Sequence, residues 1–152
     1  MMTDRAGMIA VLKRSCVPDL RAMGFKGSFP HFHREDAGMV DLLSFQFGQA
    51  GGCFCVNLGQ ADLRWWRTLF LPKVPPDRLR VHQTRGWVRL GASQGDRWFF
   101  YDPVMAGLRR AVARTPEEIA ALCTELIRTH AVPWWEERRS KARIFGSRPH
   151  QS

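Results

Sequence analysis

The sequence predicts an α+β domain in which a mostly antiparallel sheet of about five strands carries the N- and C-terminal helices on one face. Two runs of alternating apolar and polar residues meet at a glycine-rich corner, residues 48–52, as in a hairpin. An amphipathic stretch precedes them, and a capped helix follows near the C-terminus. In a chain of 152 residues we expect one domain, residues 1–136, and a basic, flexible tail, residues 137–152.

The first element is a helix over residues 4–23, where apolar residues recur at spacings of three and four. Pro18 lies inside this stretch and is expected to kink the helix or to split it in two, because proline has no N–H and its ring clashes with the preceding turn. We expect Gly24 to end the helix in the left-handed conformation, with Phe25 packing back on the last turn.

A short strand over residues 29–34 is expected to turn at residues 35–38 and to enter the central hairpin as the outer strand of a meander. If Arg34 pairs with Met39, Phe32 lies on the apolar face of that hairpin. The helices are therefore expected to cover this face of the sheet.

The central hairpin is the most strongly specified part of the predicted sheet. A two-residue turn at residues 50–51 pairs Phe47 with Phe54, and a turn at residues 51–52 keeps the same side chains on one face. A slip of one residue would scatter the apolar side chains over both faces. The apolar face is predicted to hold Leu43, Phe45, Phe47, Phe54, Val56 and Leu58. The opposite face is predicted to hold Ser44, Gln46, Cys53, Cys55 and Asn57 and to be free for recognition.

Two further elements are predicted before the last helix. Residues 86–90 and 97–101 read as a second hairpin with a turn at residues 93–96. Asp102 and the proline after it favour a short helix that extends to Val112.

The last helix has a clear start. Thr115 is its expected N-cap, Pro116 its first residue and Glu118 the partner in a capping box. Its apolar stripe is predicted to contain Ile119, Leu122, Cys123, Leu126, Ile127 and His130. Pro133 is expected to end or restart the helix, and the charged remainder from Glu136 is expected to fray.

The composition narrows the classes of partner and the compartment. The chain has 23 Lys and Arg against 14 Asp and Glu, a net charge of +9, which favours nucleic acid, acidic proteins or anionic lipid as partners. Its four cysteines show no regular spacing and no signal peptide is seen, so we expect reduced thiols in the cytoplasm. No apolar run approaches the ~20 residues of a membrane span, so no membrane insertion is expected.

The residue types that bind zinc do not converge in the predicted register. His31, His33 and Glu35 lie on the first strand of the meander, whereas Cys53 and Cys55 lie on the third. Strands separated by a middle strand are about 10 Å apart, which exceeds what ligands bound at ~2.0–2.3 Å can span. We therefore predict no metal site and no cofactor.

No catalytic residue is predicted either. The chain has no serine-centred turn of the hydrolase type, and its glycine corner joins two strands and lacks the lysine of a phosphate-binding loop. The enzyme class is therefore uncertain and disfavoured, although an enzyme without a recognisable motif stays as the second alternative.

A loop rich in arginine and tryptophan follows the hairpin at Arg64, Trp65, Trp66 and Arg67. Aromatic rings between cations stack on bases and hold phosphates, so this loop and the basic tail favour nucleic-acid binding as an alternative function.

Short motifs in several parts of the chain resemble one family. They are Gly24-Phe25-Lys26, the strand with Phe29 and Phe32, Phe45-Gln46, Val56-Asn57-Leu58-Gly59, Arg89-Leu90-Gly91, Asp96-Arg97-Trp98-Phe99 and Val132-Pro133-Trp134. Together they resemble the small bacterial proteins grouped as domain of unknown function 4304, over residues 8–136. The resemblance implies no established activity. Some relatives look like members of toxin and immunity gene neighbourhoods, which implies a role in binding a partner protein.

The leading interpretation is a non-catalytic cytoplasmic protein that binds a partner protein, with an immunity-type role as one form of it. The predicted binding surface combines the polar sheet face, at Ser44, Gln46 and Asn57, with the loop at Arg64, Trp65, Trp66 and Arg67.

Overall fold

A computed structural model describes residues 4–64, 74–91 and 97–146. Its helices are α1 Arg5–Ser15, α2 Val17–Ala22, α3 Pro103–Leu108, α4 Pro116–Leu126 and α5 Val132–Gly146. Its strands are β1 Lys26–Ser28, β2 His31–Asp36, β3 Met39–Phe47, β4 Cys53–Asp62, β5 Val88–Arg89 and β6 Phe99–Phe100. The strands form one antiparallel sheet in the order β1-β2-β3-β4-β5, and β6 also pairs with β4. The predicted α+β class is confirmed.

The first helix is split, as the position of Pro18 predicts. α1 ends at Ser15 and α2 begins at Val17, so Pro18 lies in the first turn of α2. The N–H groups of a first turn have no acceptor within the helix, so the missing N–H of proline costs no hydrogen bond there. Gly24 has a φ of +96°, and the Phe25 N–H donates to the Leu20 carbonyl at 3.0 Å. This is the predicted left-handed stop.

The register of the central hairpin is confirmed. Phe47 pairs with Phe54, Phe45 with Val56 and Leu43 with Leu58. The six side chains share one face, where Phe47 is partly buried and the other five are at most 3% exposed. The helices that pack on this face contribute Met8, Leu12, Cys16, Leu20, Ile119, Cys123, Ile127 and Trp135.

The outer strand of the meander is shifted by two residues from the prediction. Asp36, and not Arg34, pairs with Met39, because Ala37 and Gly38 take positive φ values of 52° and 78° and form a two-residue turn. An even shift preserves the face of each side chain, so Phe32 still lies opposite Leu43 in the core.

The opposite face of the sheet is covered, and the prediction that it is free is wrong over most of its length. Val40 and Leu42 of β3 pack against Leu79 and Val81 in a second hydrophobic cluster. β3 therefore carries apolar residues on both faces near its start, which is typical of a strand buried on both sides. Ser44 and Asn57, predicted to face solvent, are 4% and 0% exposed.

β5 and β6 do not pair with each other, so the predicted second hairpin is wrong. Val88 pairs with Leu58 and Phe99 pairs with Phe54, both antiparallel to β4. Two strands that are antiparallel to the same third strand run in one direction, so β5 and β6 are successive parts of one interrupted edge strand. The open edge of β4 offers unpaired N–H and C=O groups, whereas a two-stranded ribbon this short is not stable by itself.

The last helix begins as predicted and continues past Pro133. The hydroxyl of Thr115 accepts from the Glu118 N–H at 3.1 Å. A π-helical turn, Ile127–Ala131, precedes α5, and the Val132 N–H donates to the Ile127 carbonyl five residues earlier. The widened turn accommodates Pro133, which has no N–H to donate. The hydrogen bonds change locally to a spacing of five residues, and the helix continues.

The last helix continues beyond residue 136, where the flexible tail is predicted to begin. α5 extends to Gly146, and Arg139 is only 6% exposed. The Trp135 indole N–H donates to the Gly59 carbonyl at 2.9 Å, so this helix is anchored on β4. His130, expected in the apolar stripe, is exposed.

Within the described ranges, no helix combines the length and the apolar character that crossing a membrane requires.

Candidate functional site

The predicted binding residues separate into three groups. Gln46 and Arg64 are exposed, and their role in binding stays a prediction. Ser44 and Asn57 are buried, and the Asn57 amide donates to Oε1 of Gln46 at 2.8 Å and accepts from Nε of Arg89 at 3.3 Å. They therefore serve the interior of the protein. Trp65, Trp66 and Arg67 lie outside the described residues.

The histidines and cysteines of the meander lie on separate strands. His31 pairs with Ser44 of the middle strand, while Cys55 pairs with Gln46. Among the described residues, no three His, Cys, Asp or Glu side chains are close enough to hold a metal ion. Burial, followed by the charges of Arg80 and His82, lowers the pKa of His31.

The thiols lack the combination that a catalytic nucleophile needs, which is access to solvent together with a lowered pKa. The pKa of Cys16 is lowered by a hydrogen bond with Cys123, but Cys16 is 0% exposed. Cys53 is partly exposed, and burial raises its pKa. All four cysteines are free, so the prediction of unbridged, mostly buried thiols is confirmed.

A fully buried carboxylate lies on β3: Asp41 is 0% exposed. Its Oδ2 accepts from Nη2 of Arg34 at 2.8 Å and from Nη2 of Arg139 at 2.5 Å, and its Oδ1 accepts from Nε2 of Gln60 at 2.8 Å. Arg34 also donates to the Met23 carbonyl at 3.0 Å. These bonds tie α2, the sheet and α5 together around one carboxylate, which we call the Asp41 network.

A cleft of about 620 Å³ opens beside the Asp41 network. It is lined by Met23, Gly24, Arg34, Glu35, Asp36, Glu136, Arg139 and Ser140. Oδ2 of Asp36 lies 3.5 Å from Nε of Arg139, an ion pair too long to be a good hydrogen bond. Because Arg139 has carboxylates on two sides, the cleft is mainly the place where α5 is held to the sheet.

A different part of the chain exposes apolar side chains. Val104, Leu108 and Val112 are 60%, 73% and 72% exposed, and they are the exposed large hydrophobic residues of the described chain. Val104 and Leu108 lie four residues apart on one side of α3, and Val112 follows in the segment after the helix. We call these three residues the apolar ridge.

Arginines accompany the apolar ridge. Arg109, Arg110 and Arg114 are exposed, and residues 103–114 contain no Asp or Glu. No ion pair engages these arginines within the part of the chain that the structure describes. We call them the basic flank.

The core holds α3 in place beneath the ridge. Asp102 caps the helix by accepting from the Val104 N–H at 2.9 Å, and Ala106 is buried. Before it, the Tyr101 N–H donates to the Gly52 carbonyl at 3.0 Å, and the Gly52 N–H donates to the Tyr101 hydroxyl at 3.2 Å. The corner of the central hairpin thus positions the ridge.

The end of α3 is strained at one arginine. The Arg110 N–H donates to the Gly107 carbonyl at 3.1 Å and the Ala111 N–H donates to the Ala106 carbonyl at 2.8 Å, the bonds of a Schellman motif. Arg110 occupies its left-handed position with a φ of 53°, where glycine is the usual residue. This motif ends the helix at Leu108, short of the predicted Val112.

Sequence reasoning missed the ridge although a signal was present. Val104, Leu108 and Val112 recur every four residues between arginines, in a segment without acidic residues. The same pattern is typical of a helix that buries its apolar stripe, and only the structure shows that this stripe faces solvent.

No curated protein and no solved structure matches the chain. The family model of the domain of unknown function DUF4304 matches residues 16–137, which include the strands of the sheet and α2 to α4, but not α1. The resemblance of the short motifs is thereby confirmed, and the chain belongs to the DUF4304 family.

Proposed function

We propose that this protein is a non-catalytic module that binds a partner protein through the apolar ridge and the basic flank. One observation carries the proposal: the exposed large hydrophobic residues of the described chain, Val104, Leu108 and Val112, all fall in residues 104–112. Exposed apolar residues scattered singly are ordinary on protein surfaces, whereas exposed apolar residues grouped together are typical of an interaction site.

The chemistry of the ridge selects the partner. Arginine and apolar side chains are enriched at the centres of protein interfaces, and residues 103–114, which contain the basic flank, include no Asp or Glu. An acidic surface with an apolar groove would bury the ridge and pair with Arg109, Arg110 and Arg114. An immunity-type role, in which the module covers a site on an acidic toxin, is one form of this function. The four free thiols support a reducing compartment, which we take to be the cytoplasm.

Photo-crosslinking in the native host tests the proposal. A photoreactive amino acid at Leu108 is compared with the same amino acid at Lys141, which has a 66% exposed side chain on α5. We expect Leu108 to form an adduct with one protein, at a peptide rich in Asp and Glu, while Lys141 does not. The double change Arg109→Glu and Arg114→Glu should abolish this adduct, because it opposes acid with acid. Equal adducts from both positions would contradict the proposal.

Nucleic-acid binding is the second candidate, and the net charge of +9 is the observation that favours it. Binding to DNA and RNA is measured over a series of salt concentrations. Phosphate contacts predict a logarithmic affinity that falls steeply and linearly with the logarithm of salt concentration. If the adduct at Leu108 is nucleic acid and the salt dependence is steep, this candidate replaces the protein-binding function.

A further inference from the structure

A row of three side chains on the C-terminal helix faces the edge of the sheet. His130, Trp134 and Arg138 are spaced by four residues, so they lie on the same side of the helix. Trp134 and His130 line a cavity with residues of β4 and β5, and the guanidinium of Arg138 reaches the Arg85 carbonyl at 3.5 Å. The row therefore combines an imidazole, an indole and a cation along one short edge of the fold.

The cavity beside this row has a volume of about 260 Å³. Leu58, Val88 and Leu90 supply apolar side chains, and Trp134 adds an aromatic surface. The ionisable residues of the lining are His130 on the same helix and Arg89 on β5. Small-molecule sites are typically apolar concavities with a few polar groups, and this one is below the ~300–1,000 Å³ that drug-sized ligands need. It suits a small ligand with a compact, flat body.

Arg89 is already engaged, because its Nε donates to Oδ1 of Asn57 at 3.3 Å and its guanidinium lies 5.0 Å from the centroid of the Trp98 ring. Arg138 does not line the cavity, but its guanidinium lies 4.7 Å from the centroid of the ring of Trp134, which does. Burial lowers its pKa, and no ion pair with a carboxylate engages it among the residues that the structure describes. A half-buried cation without a counter-charge is stabilised when an anion binds beside it.

The π-helical turn is a second observation at the same place. Ile127–Ala131 contains His130 and lies one turn before Trp134. Single π-helical turns are frequent at functional sites, because the extra residue changes which side chains face inward. Here the turn presents His130 to the cavity, on the exposed side of a helix whose opposite side packs in the core.

We propose that this cavity binds a small aromatic or branched aliphatic carboxylate. The apolar body lies against Trp134 and Leu90, and the carboxylate accepts hydrogen bonds from Arg138 at one end of the row. The site is separate from the apolar ridge, so it adds a ligand to the proposed protein-binding function.

Benzoate and benzamide are the probes, because they share size and ring but only benzoate carries a charge. Each is titrated into the full chain while the indole N–H signals are followed by NMR, and Trp134→Phe identifies the signal of Trp134. We expect benzoate to shift this signal saturably and to bind at least about tenfold more tightly than benzamide, as befits a charge-assisted hydrogen bond.

Arg138→Gln should reduce the affinity for benzoate to that for benzamide. Arg128→Gln, at an exposed arginine that pairs with Glu125, is the matched control and should leave the affinity unchanged. Both variants keep the core intact, and unchanged methyl signals verify their folding. Equal affinities for the two probes, equal losses in the two variants, or no saturable shift of the Trp134 signal would each overturn the proposal.

Discussion

At the scale of single residues, the buried charge of Asp41 and the strained backbone of Arg110 serve different ends. Asp41 is fully buried and satisfied by Arg34, Arg139 and Gln60, so it organises the fold. Arg110 has a φ of 53° and is exposed, so its strained backbone does not serve the packing of the core.

Asp41→Asn should lower the free energy of unfolding by roughly 3–5 kcal/mol, because the buried guanidinium of Arg139 and the partly buried one of Arg34 lose the carboxylate that both contact. Asp62→Asn is the matched control on the same sheet, since Asp62 pairs with the exposed side chain of Arg64 at 3.0 Å. It should cost much less, because solvent screens an exposed ion pair. Urea denaturation of both variants measures the difference, and similar losses would show that the Asp41 network does not hold the fold.

Arg110→Gly should leave the free energy of unfolding unchanged or raise it by up to about 1 kcal/mol. Glycine relieves the strain of the left-handed backbone, and this gain offsets the greater conformational entropy that glycine gives the unfolded chain. Arg109→Gly makes the same change at a φ of −95°, where no strain is relieved. It should lower the free energy of unfolding by about 0.5–1 kcal/mol. Thermal unfolding of the two variants compares them, and an equal loss at both positions would refute the strain at Arg110.

At the scale of elements, local sequence patterns predict the features that depend on residues close together in the chain. The register of the central hairpin follows from alternation around its glycine corner, and the split of the first helix follows from Pro18. The pairing of β5 and β6 with β4 depends on which edge of the sheet is open. No local pattern reports that, so the predicted second hairpin was wrong. Likewise, Val40 and Leu42 indicate that the second face of the sheet is covered only when the pairing of β3 within the sheet is known.

His31 and His33 of β2 should make the free energy of unfolding depend on pH. Burial lowers the pKa of His31 and of His33 below the ordinary 6.5, so the unfolded chain binds protons more readily than the folded one. The free energy of unfolding is therefore unaffected above the unfolded pKa and falls as pH drops through about 6.5 toward 5.

Urea denaturation at a series of pH values measures this dependence, and His31→Gln should make the decline shallower. His31 is the more informative position, because its Nδ1 is buried without a hydrogen-bond partner. If the variant and the parent lose stability equally between about pH 7 and pH 5, the partly buried imidazole of His31 does not cause the pH dependence.

At the scale of the whole molecule, both faces of the sheet are used for packing, and the proposed binding surface therefore lies on elements around it. The helices cover one face and residues 74–91 contribute cover to the other. The sequence therefore predicted the fold class and the core, but it placed the binding surface on side chains that the fold buries, Ser44 and Asn57. The apolar ridge lies on α3 and the segment after it, beyond the sheet, and its exposure depends on packing that no motif encodes.

Hydrogen exchange of the backbone amides, with and without the partner captured at Leu108, tests the proposed binding surface most directly. We predict slower exchange on binding in residues 103–114, where the ridge and the basic flank lie, and unchanged exchange in α5 at Lys141. Unchanged exchange in residues 103–114, with protection on β2 or at Arg64 instead, would contradict it.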